Sequence, residues 1–303
     1  MHRVLRMSAL SEGFPLVVNR VKNHGPTTLH THDFTELVIV FAGRGVHYSA
    51  DEAYEIMAGD AFVVSKAHGY KDVEDLEIAN VLFHPDRLAL PLAEARRLPG
   101  YHAFFALEPR YRRQHRFRSC LHLTMEELSV LSELTDEIAA ELRGRSPGFE
   151  YIATAMLIHL VGRLARSYEK MRAVEYRPLI RLGTVLSHME QHYAERIRVE
   201  DLIRIARMSP SGLLRAFRST TGLAPMEYLI RLRINRACDL LRTGALNVTE
   251  TAYRVGFSDS NYFTRQFRQV MQCTPREFCR RTRAAGASLK TAPASAFTAR
   301  TPP

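Results

Sequence analysis

Leu213-Leu214-Arg215-Ala216-Phe217-Arg218 returns fifty residues later as Phe263-Thr264-Arg265-Gln266-Phe267-Arg268. In each copy the large apolar residues stand four apart, on one side of a helix, and the arginines fall on the other side. The match extends outward to Pro225 with Pro275, Glu227 with Glu277 and Tyr228 with Phe278. Upstream, Ile205 pairs with Val255, each closing a short helix before a tight turn. An internal repeat of this kind is one supersecondary unit used twice, and here the unit reads as helix, turn, helix. The first spans a helix over 201–207, a turn near Met208, and a second helix capped by Ser209 with Pro210 at its first position, a strong helix start. The second spans a helix over 249–255, a turn at Gly256, and a restart capped by Ser258 or Asp259.

Between the units, residues 226–242 read as one helix carrying Tyr228, Leu229, Leu232, Ile234, Ala237, Leu240 and Leu241. Two helices that enter successive major grooves must stand about 34 Å apart on one face of the duplex, and a continuous helix can hold such a distance. Helical hairpins with basic faces also occur in proteins that never touch DNA. The duplication, with arginine at matched outward positions, tells against that reading.

The charge agrees. Of a formal net charge of +10 over 303 residues, residues 178–283 carry 18 arginines, no lysine and nine acids, and so hold nearly the whole surplus. A basic surface attracts polyanions, and arginine favours forked contacts to phosphate or guanine; a solvated basic face is the bland alternative. The length suits two domains. Cys120, Cys238, Cys273 and Cys279 show no metal-ligand spacing and read as reduced thiols. No apolar run long enough for a signal peptide or a membrane span is present, and the expectation is a soluble, cytoplasmic protein with no membrane partner.

Residues 17–83 read as short strands: 37–41, a turn at 42–45 with Gly43 and Gly45, a resumed strand at 46–48, then 61–64 and 78–83. Close-spaced short strands predict a small barrel or sandwich. At 124–142 the period becomes helical, opening on a capping box, Thr124 with Glu127, and continuing through Leu128, Leu131, Leu134, Ile138 and Leu142. After a break at 144–148, residues 151–168 form another helix. The pair either closes the barrel core or forms a dimer seam. Within the barrel, His30 and His32 stand at i and i+2 on one face of a strand, with Glu36 at i+6; His68 is a fourth candidate. These nitrogen and oxygen donors suit the polar lining of a small-ligand pocket, a divalent transition metal, or a structural cluster.

The linker helix over 220–234 resembles the signature of the AraC/XylS family. So does the run Val248-Thr249-Glu250-Thr251-Ala252-Tyr253-Arg254-Val255-Gly256-Phe257-Ser258-Asp259-Ser260-Asn261-Tyr262-Phe263, continuing to Thr274-Pro275-Arg276-Glu277-Phe278. The resemblance implies base contacts from Ser211, Leu214 and Arg215 in the first unit and from Asp259, Asn261, Thr264 and Arg265 in the second. Arg218 and Arg268 project outward on the same helices. Leu214 departs from the polar residue usual there, implying fewer bases read directly by the first unit. The spacing His-x-His-x3-Glu, followed by Gly43, is similar to the first motif of cupin barrels, metal-binding ones included. In the second motif Gly59-Asp60 is present, but Ser65 stands where proline is usual. In the AraC family this barrel is the effector-sensing domain. The strings His32-Asp33-Phe34, Val38-Ile39-Val40, Asn80-Val81-Leu82 and Pro85-Asp86-Arg87 resemble the rhamnose-responsive regulators.

The resulting expectation is a two-domain chain: a cupin-like all-β barrel over 1–123, a helical pair over 124–170, a linker over 171–178, an all-α double helix-turn-helix domain over 179–283 and a disordered tail over 284–303. It is expected to be a non-enzymatic activator of transcription that binds a bipartite operator in double-stranded DNA as a homodimer. RNA polymerase is an expected partner, and a small effector such as the sugar rhamnose is expected at His30, His32, Glu36 and His68. The same four residues are the ligand set for a possible divalent metal. Two alternatives are a cupin enzyme tethered to a DNA-binding domain and a regulator whose barrel only dimerises.

Overall fold

The computed structural model describes residues 3–11, 13–50, 52–64, 67–88, 90, 92–109, 121–171 and 177–290; Cys120, Ser65 and most of the expected linker lie outside them. Strands β1 (Arg3–Leu5) and β2 (Leu16–Val21), separated by the short α1 (Met7–Leu10), are followed by β3 (His30–His32), β4 (Thr35–Ser49), β5 (Ala53–Met57), β6 (Asp60–Val64), β7 (His68–Phe83) and β8 (Leu121–His122). They form one eight-stranded sheet in the order β1-β3-β7-β4-β6-β8, with β2 also on β7 and β5 also on β4. The long antiparallel pair β4 and β7 is its spine. One half of β4 pairs with β6 and the other with β5, with register shifts between Val40 and Val46 on the β7 side.

Those shifts correct the expected turn at 42–45. Gly43 sits at φ +73° inside a continuous strand, and a side chain there would run into the Asp75 carbonyl. Glycine supplies a bulge that bends the strand, and the bend lets the sheet curl over a core of Val38, Val40, Ile56, Phe62, Val64, Tyr70, Leu76 and Ile78. His68, expected beyond a strand end, opens β7 opposite His30.

Between β7 and β8 come α2 (Leu92–Ala95) and α3 (Pro99–Tyr101), which runs into a π-helical turn, His102–Leu107. Helix α4 (Met125–Gly144) starts on the expected capping box, the Glu127 amide donating to Thr124 Oγ1 (3.2 Å) and the Thr124 amide to Glu127 Oε2 (3.1 Å). Its partner α5 (Phe149–Lys170) lies beside it. Helix α4 packs on β2, where Arg20 bonds Asp136 (2.7 Å), Ser132 (2.8 Å) and Glu77 (2.7 Å). Helix α4 thus covers part of the sheet.

The remaining elements are α6 (Arg177–His192), α7 (Val199–Ala206), α8 (Pro210–Thr221), α9 (Pro225–Thr243), α10 (Val248–Arg254), α11 (Ser260–Met271) and α12 (Pro275–Lys290). Helix α12 continues to Lys290, past the expected tail boundary at 284; no proline interrupts it before Pro293, and Ala284, Ala285 and Ala287 offset Gly286. Contacts divide the chain between the two repeat units, with residues 1–191 and 199–224 in one compact unit and 192–198 with 225 onward in the other. Among the described residues no helix is long and apolar enough to cross a membrane.

Helix α6 belongs to the first unit because the segment 96–102 is held between it and α5. The Arg97 carbonyl accepts from Ser187 Oγ and from Gln191 Nε2 (3.1 Å). The Gly100 amide donates to Glu169 Oε1 (2.8 Å). A side chain on Gly183 would strike the Pro99 carbonyl, and one on Gly100 the Ala165 carbonyl, so backbone meets backbone on both sides. His102 Nε2–H donates to the Arg96 carbonyl (2.7 Å). Burial pushes this imidazole down to about 4 from 6.5, against the upward pull of that bond. The neutral ring therefore contributes stability that is full above pH 6.5 and lost as the pH falls toward 4, because the unfolded chain gains the proton first. We predict that the stability advantage of the wild type over His102→Gln, whose amide can still donate but does not titrate, shrinks by about 3 kcal/mol between pH 7 and pH 4. Urea titrations at several pH values measure it, and a constant gap would contradict it.

Candidate nucleic-acid interface and effector site

The two reading helices start and stop fifty residues apart. Ser209 Oγ accepts from the Gly212 amide (3.2 Å), with Pro210 at the first helical position, and α8 ends at Gly222 in the left-handed region (φ +79°). In the second unit Asp259, not Ser258, is the cap: its Oδ1 accepts from the Asn261 amide (2.7 Å), and α11 ends at Gln272 (φ +54°). The first helices are less equal. The left-handed turn residue is Arg207 in one unit and Gly256 in the other, a spacing of forty-nine, so the second turn is one residue longer. Ala206 and Val255, both buried, occupy equivalent positions, which moves the expected pairing of Ile205 with Val255 by one. The added residue accommodates Phe257, buried and T-stacked on Phe263 (5.2 Å).

Leu213 and Phe217 are buried on α8, as are Phe263 and Phe267 on α11. The opposite faces expose Ser211, Leu214, Arg215 and Arg218, and Asn261, Arg265 and Arg268. Thr264 is half-buried and its hydroxyl donates to the Ser260 carbonyl (2.9 Å), which leaves the oxygen able to accept. Asp259 is exposed, but one carboxylate oxygen is committed to the cap. All nine residues expected to meet DNA thus lie on the two reading helices or at the cap of the second.

The second unit is held by a core of Ile234, Ala237, Cys238 and Leu241 from α9 against Ala252, Val255, Phe257, Phe263, Phe267 and Cys273. Arg233 ties the incoming segment to α9 by donating to the carbonyls of Tyr193 (2.7 Å) and Glu195 (2.7 Å). At Gly256 (φ +90°) a Cβ would lie 2.7 Å from the Ala194 carbonyl. Burial pushes the Cys238 thiol up to about 11, so it is inert.

In the barrel, His32 Nε2 (3.2 Å) and His68 Nε2 (3.1 Å) both approach Glu36 Oε2. Burial alone would raise the Glu36 carboxyl, but the close approach and charge of His32 and His68 overcome it and hold the group well below the usual carboxylate range. Burial lowers His30 and His24. His30 Nδ1–H donates to the Thr28 carbonyl (3.1 Å), leaving Nε2 as a donor atom for a ligand. Donor atoms of His30, Glu36 and His68 lie within 4.8 Å of one another. His32 is not in that set: its Nε2 meets Glu36 (3.2 Å), while its Nδ1–H donates to the Phe34 carbonyl (2.7 Å) and its ring stacks on Phe34 (4.5 Å). Three of the four expected residues thus bring donor atoms within that distance, and His32 adjoins them through Glu36. His47, which the sequence places only on the strand at 46–48, joins the cluster. It is buried, 3.1 Å from His68 Nδ1 through Nε2, opposite Tyr70 across β4 and β7. Strict alternation would put His47, eleven residues after Glu36, on the opposite face; the register shifts between Val40 and Val46 bring it to the cluster.

A β domain with a polar interior, followed by two capped helix-turn-helix units, defines a DNA-binding transcription regulator with a sensing domain. The chain matches the AraC-like ligand binding domain over residues 17–146 and the helix-turn-helix domain family over 202–281. It is similar to the HTH-type transcriptional activator RhaR of Mannheimia succiniciproducens, 28% identical over 89% of this chain and 93% of that protein. To the RhaR of Enterobacter sp. (strain 638) it is 31% identical over 84% and 88%. The crystallised DNA-binding domain of AdpA, in complex with a target DNA, aligns at 35% identity over 34% of this chain and 94% of its own, with a TM-score of 0.33. The chain belongs to the AraC family of transcriptional activators, alongside these RhaR proteins.

Arg265 is exposed at the centre of the α11 outer face, where a guanidinium can make a bidentate base contact. We expect Arg265→Ala to weaken specific binding by about 1–3 kcal/mol while sparing unrelated DNA. Gel-shift titrations on both duplexes measure this, and equal losses would reassign Arg265 to phosphate contact.

Proposed function

We propose that the chain activates transcription from a bipartite site in double-stranded DNA, acting as a homodimer that contacts RNA polymerase, when its barrel holds a small sugar, L-rhamnose or a close relative. The cluster of buried Glu36, His47 and His68 with half-buried His30 and His32 carries this reading. A sugar presents many hydroxyls and needs convergent donors and acceptors inside an otherwise apolar cavity, and imidazole and carboxylate supply both. The same strands resemble rhamnose-responsive regulators. The alternative of a tethered enzyme finds less support, since the relatives are regulators.

A divalent metal fits the donor set, with His30, Glu36 and His68 as its ligands. It would supply Lewis acidity toward vicinal hydroxyls. Elemental analysis of untagged protein should then find metal lost in His30→Ala, Glu36→Gln and His68→Ala but kept in His32→Ala. Metal lost equally from all four variants would return His32 to the ligand set, and metal-free wild type that still answers its effector would leave the trio as pocket lining.

The signal has a candidate route through the clamped segment 96–102, whose carbonyls meet α6 at the head of the first DNA-reading unit. A ligand shifts such an equilibrium only through unequal affinity for two states. We expect L-rhamnose to raise operator affinity about 5–150-fold, the range of a 1–3 kcal/mol coupling, and Glu36→Gln to abolish the response. DNA titration and transcription assays with and without the sugar test it. A sugar that binds the full chain but changes neither would sink the sensor reading.

A further inference from the structure

Tyr262 on α11 and Gly212 on α8 occupy the same place in the repeat, three residues ahead of Arg265 and Arg215. The Arg265 guanidinium lies over the Tyr262 ring, 5.1 Å from its centroid. That ring is half-buried and rests on Phe257 (5.9 Å between centroids). Phe257 is locked in the core of the second unit against Phe263 and Phe267. The face under Arg265 is therefore anchored by packing and does not swing with the arginine. In α8 there is no counterpart: Gly212 has no side chain, and its amide is spent on the Ser209 cap.

We propose that Tyr262 is a positioning residue that holds Arg265 in a reading posture, and that sequence discrimination is therefore concentrated in the half of the site met by the second unit. The proposal rests on the reading that both units bind DNA. A guanidinium is planar, and stacked on a ring it keeps its forked N–H edge turned outward for the O6 and N7 of a guanine. Ordering a free rotamer-rich side chain weakens binding by roughly 2–10-fold, and a cation over an aromatic face is attracted to it. Arg265 has both advantages and Arg215 has neither on its own helix. The chemistry one residue earlier leans the same way, since Thr264 offers an acceptor and a methyl where Leu214 offers only apolar surface.

A duplex selected by the full-length chain from a random library serves as the probe. Tyr262→Leu should lower affinity for it about 2–10-fold and flatten base preference only in the half-site whose protection Arg265→Ala removes. Affinity for unrelated DNA and its salt slope should stay at wild-type values. In an Arg265→Ala background the same substitution should cost nothing further, and Tyr262→Phe, which keeps the ring, should behave as wild type. If Tyr262→Leu does not fold, Tyr262→Met enters the same cycle. An equal loss in the Arg265→Ala background, or on unrelated DNA, would make Tyr262 a core filler and overturn the proposal. A chain that selects no sequence at all would overturn the DNA-reading assignment with it.

Discussion

The hydrogen bond from the Gly212 amide to Ser209, and its counterpart from Asn261 to Asp259, set the residue at which each reading helix begins. Starting a helix one residue early or late turns every side chain on it by about 100° relative to the chain that enters it. With the caps in place, Leu213 and Phe217, and Phe263 and Phe267, point into their units, and the arginines point out. A misplaced cap would bury an arginine or expose a phenylalanine. The extra residue in the second turn is tolerated because it lies before the cap and is absorbed by Gly256 and the burial of Phe257.

The barrel solves a different problem, that of keeping a carboxylate charged where water is excluded. Glu36 is nearly inaccessible, yet two imidazoles converge on one of its oxygens. An unpaired buried charge is expensive, and a paired one is still seldom the most stable filling for a core. Its presence among Val38, Val40 and Ile78 is better understood as a functional cost than as a structural device. The neighbouring His47 extends the network rather than closing it, and the cluster keeps donor atoms turned toward one another on the inner side of the sheet.

The repeat was legible because it is written in short-range chemistry: a proline after a serine cap, a glycine where φ is positive, phenylalanines four apart. Each of these acts within one turn of helix and survives without knowledge of distant contacts. The double helix-turn-helix and the capping box at Thr124 were found in this way. What escaped depends on pairing across the sheet. Gly43 reads as a turn until Asp75 is seen packed against it. His47 is one more β-strand polar residue until His68 is seen beside it, and His32 reads as one of four equals until Phe34 is seen stacked on its ring. The clamp on α6 joins Arg97 to Ser187 across ninety positions, and no local pattern announces a contact of that span.

The glycines of that clamp carry a mechanical consequence. Where two elements meet through side chains, a small displacement is absorbed by rotamer changes and fades within a layer of packing. At Gly183 and Gly100 no side chain intervenes, so at those two points the joint has little slack, whatever the side chains of Ser187, Gln191 and Glu169 allow beside them. A sub-ångström movement of segment 96–102 either carries helix α6 with it or breaks the contact outright, as expected of packed interfaces that are bistable rather than elastic. Such a joint gives a threshold response, not a graded one.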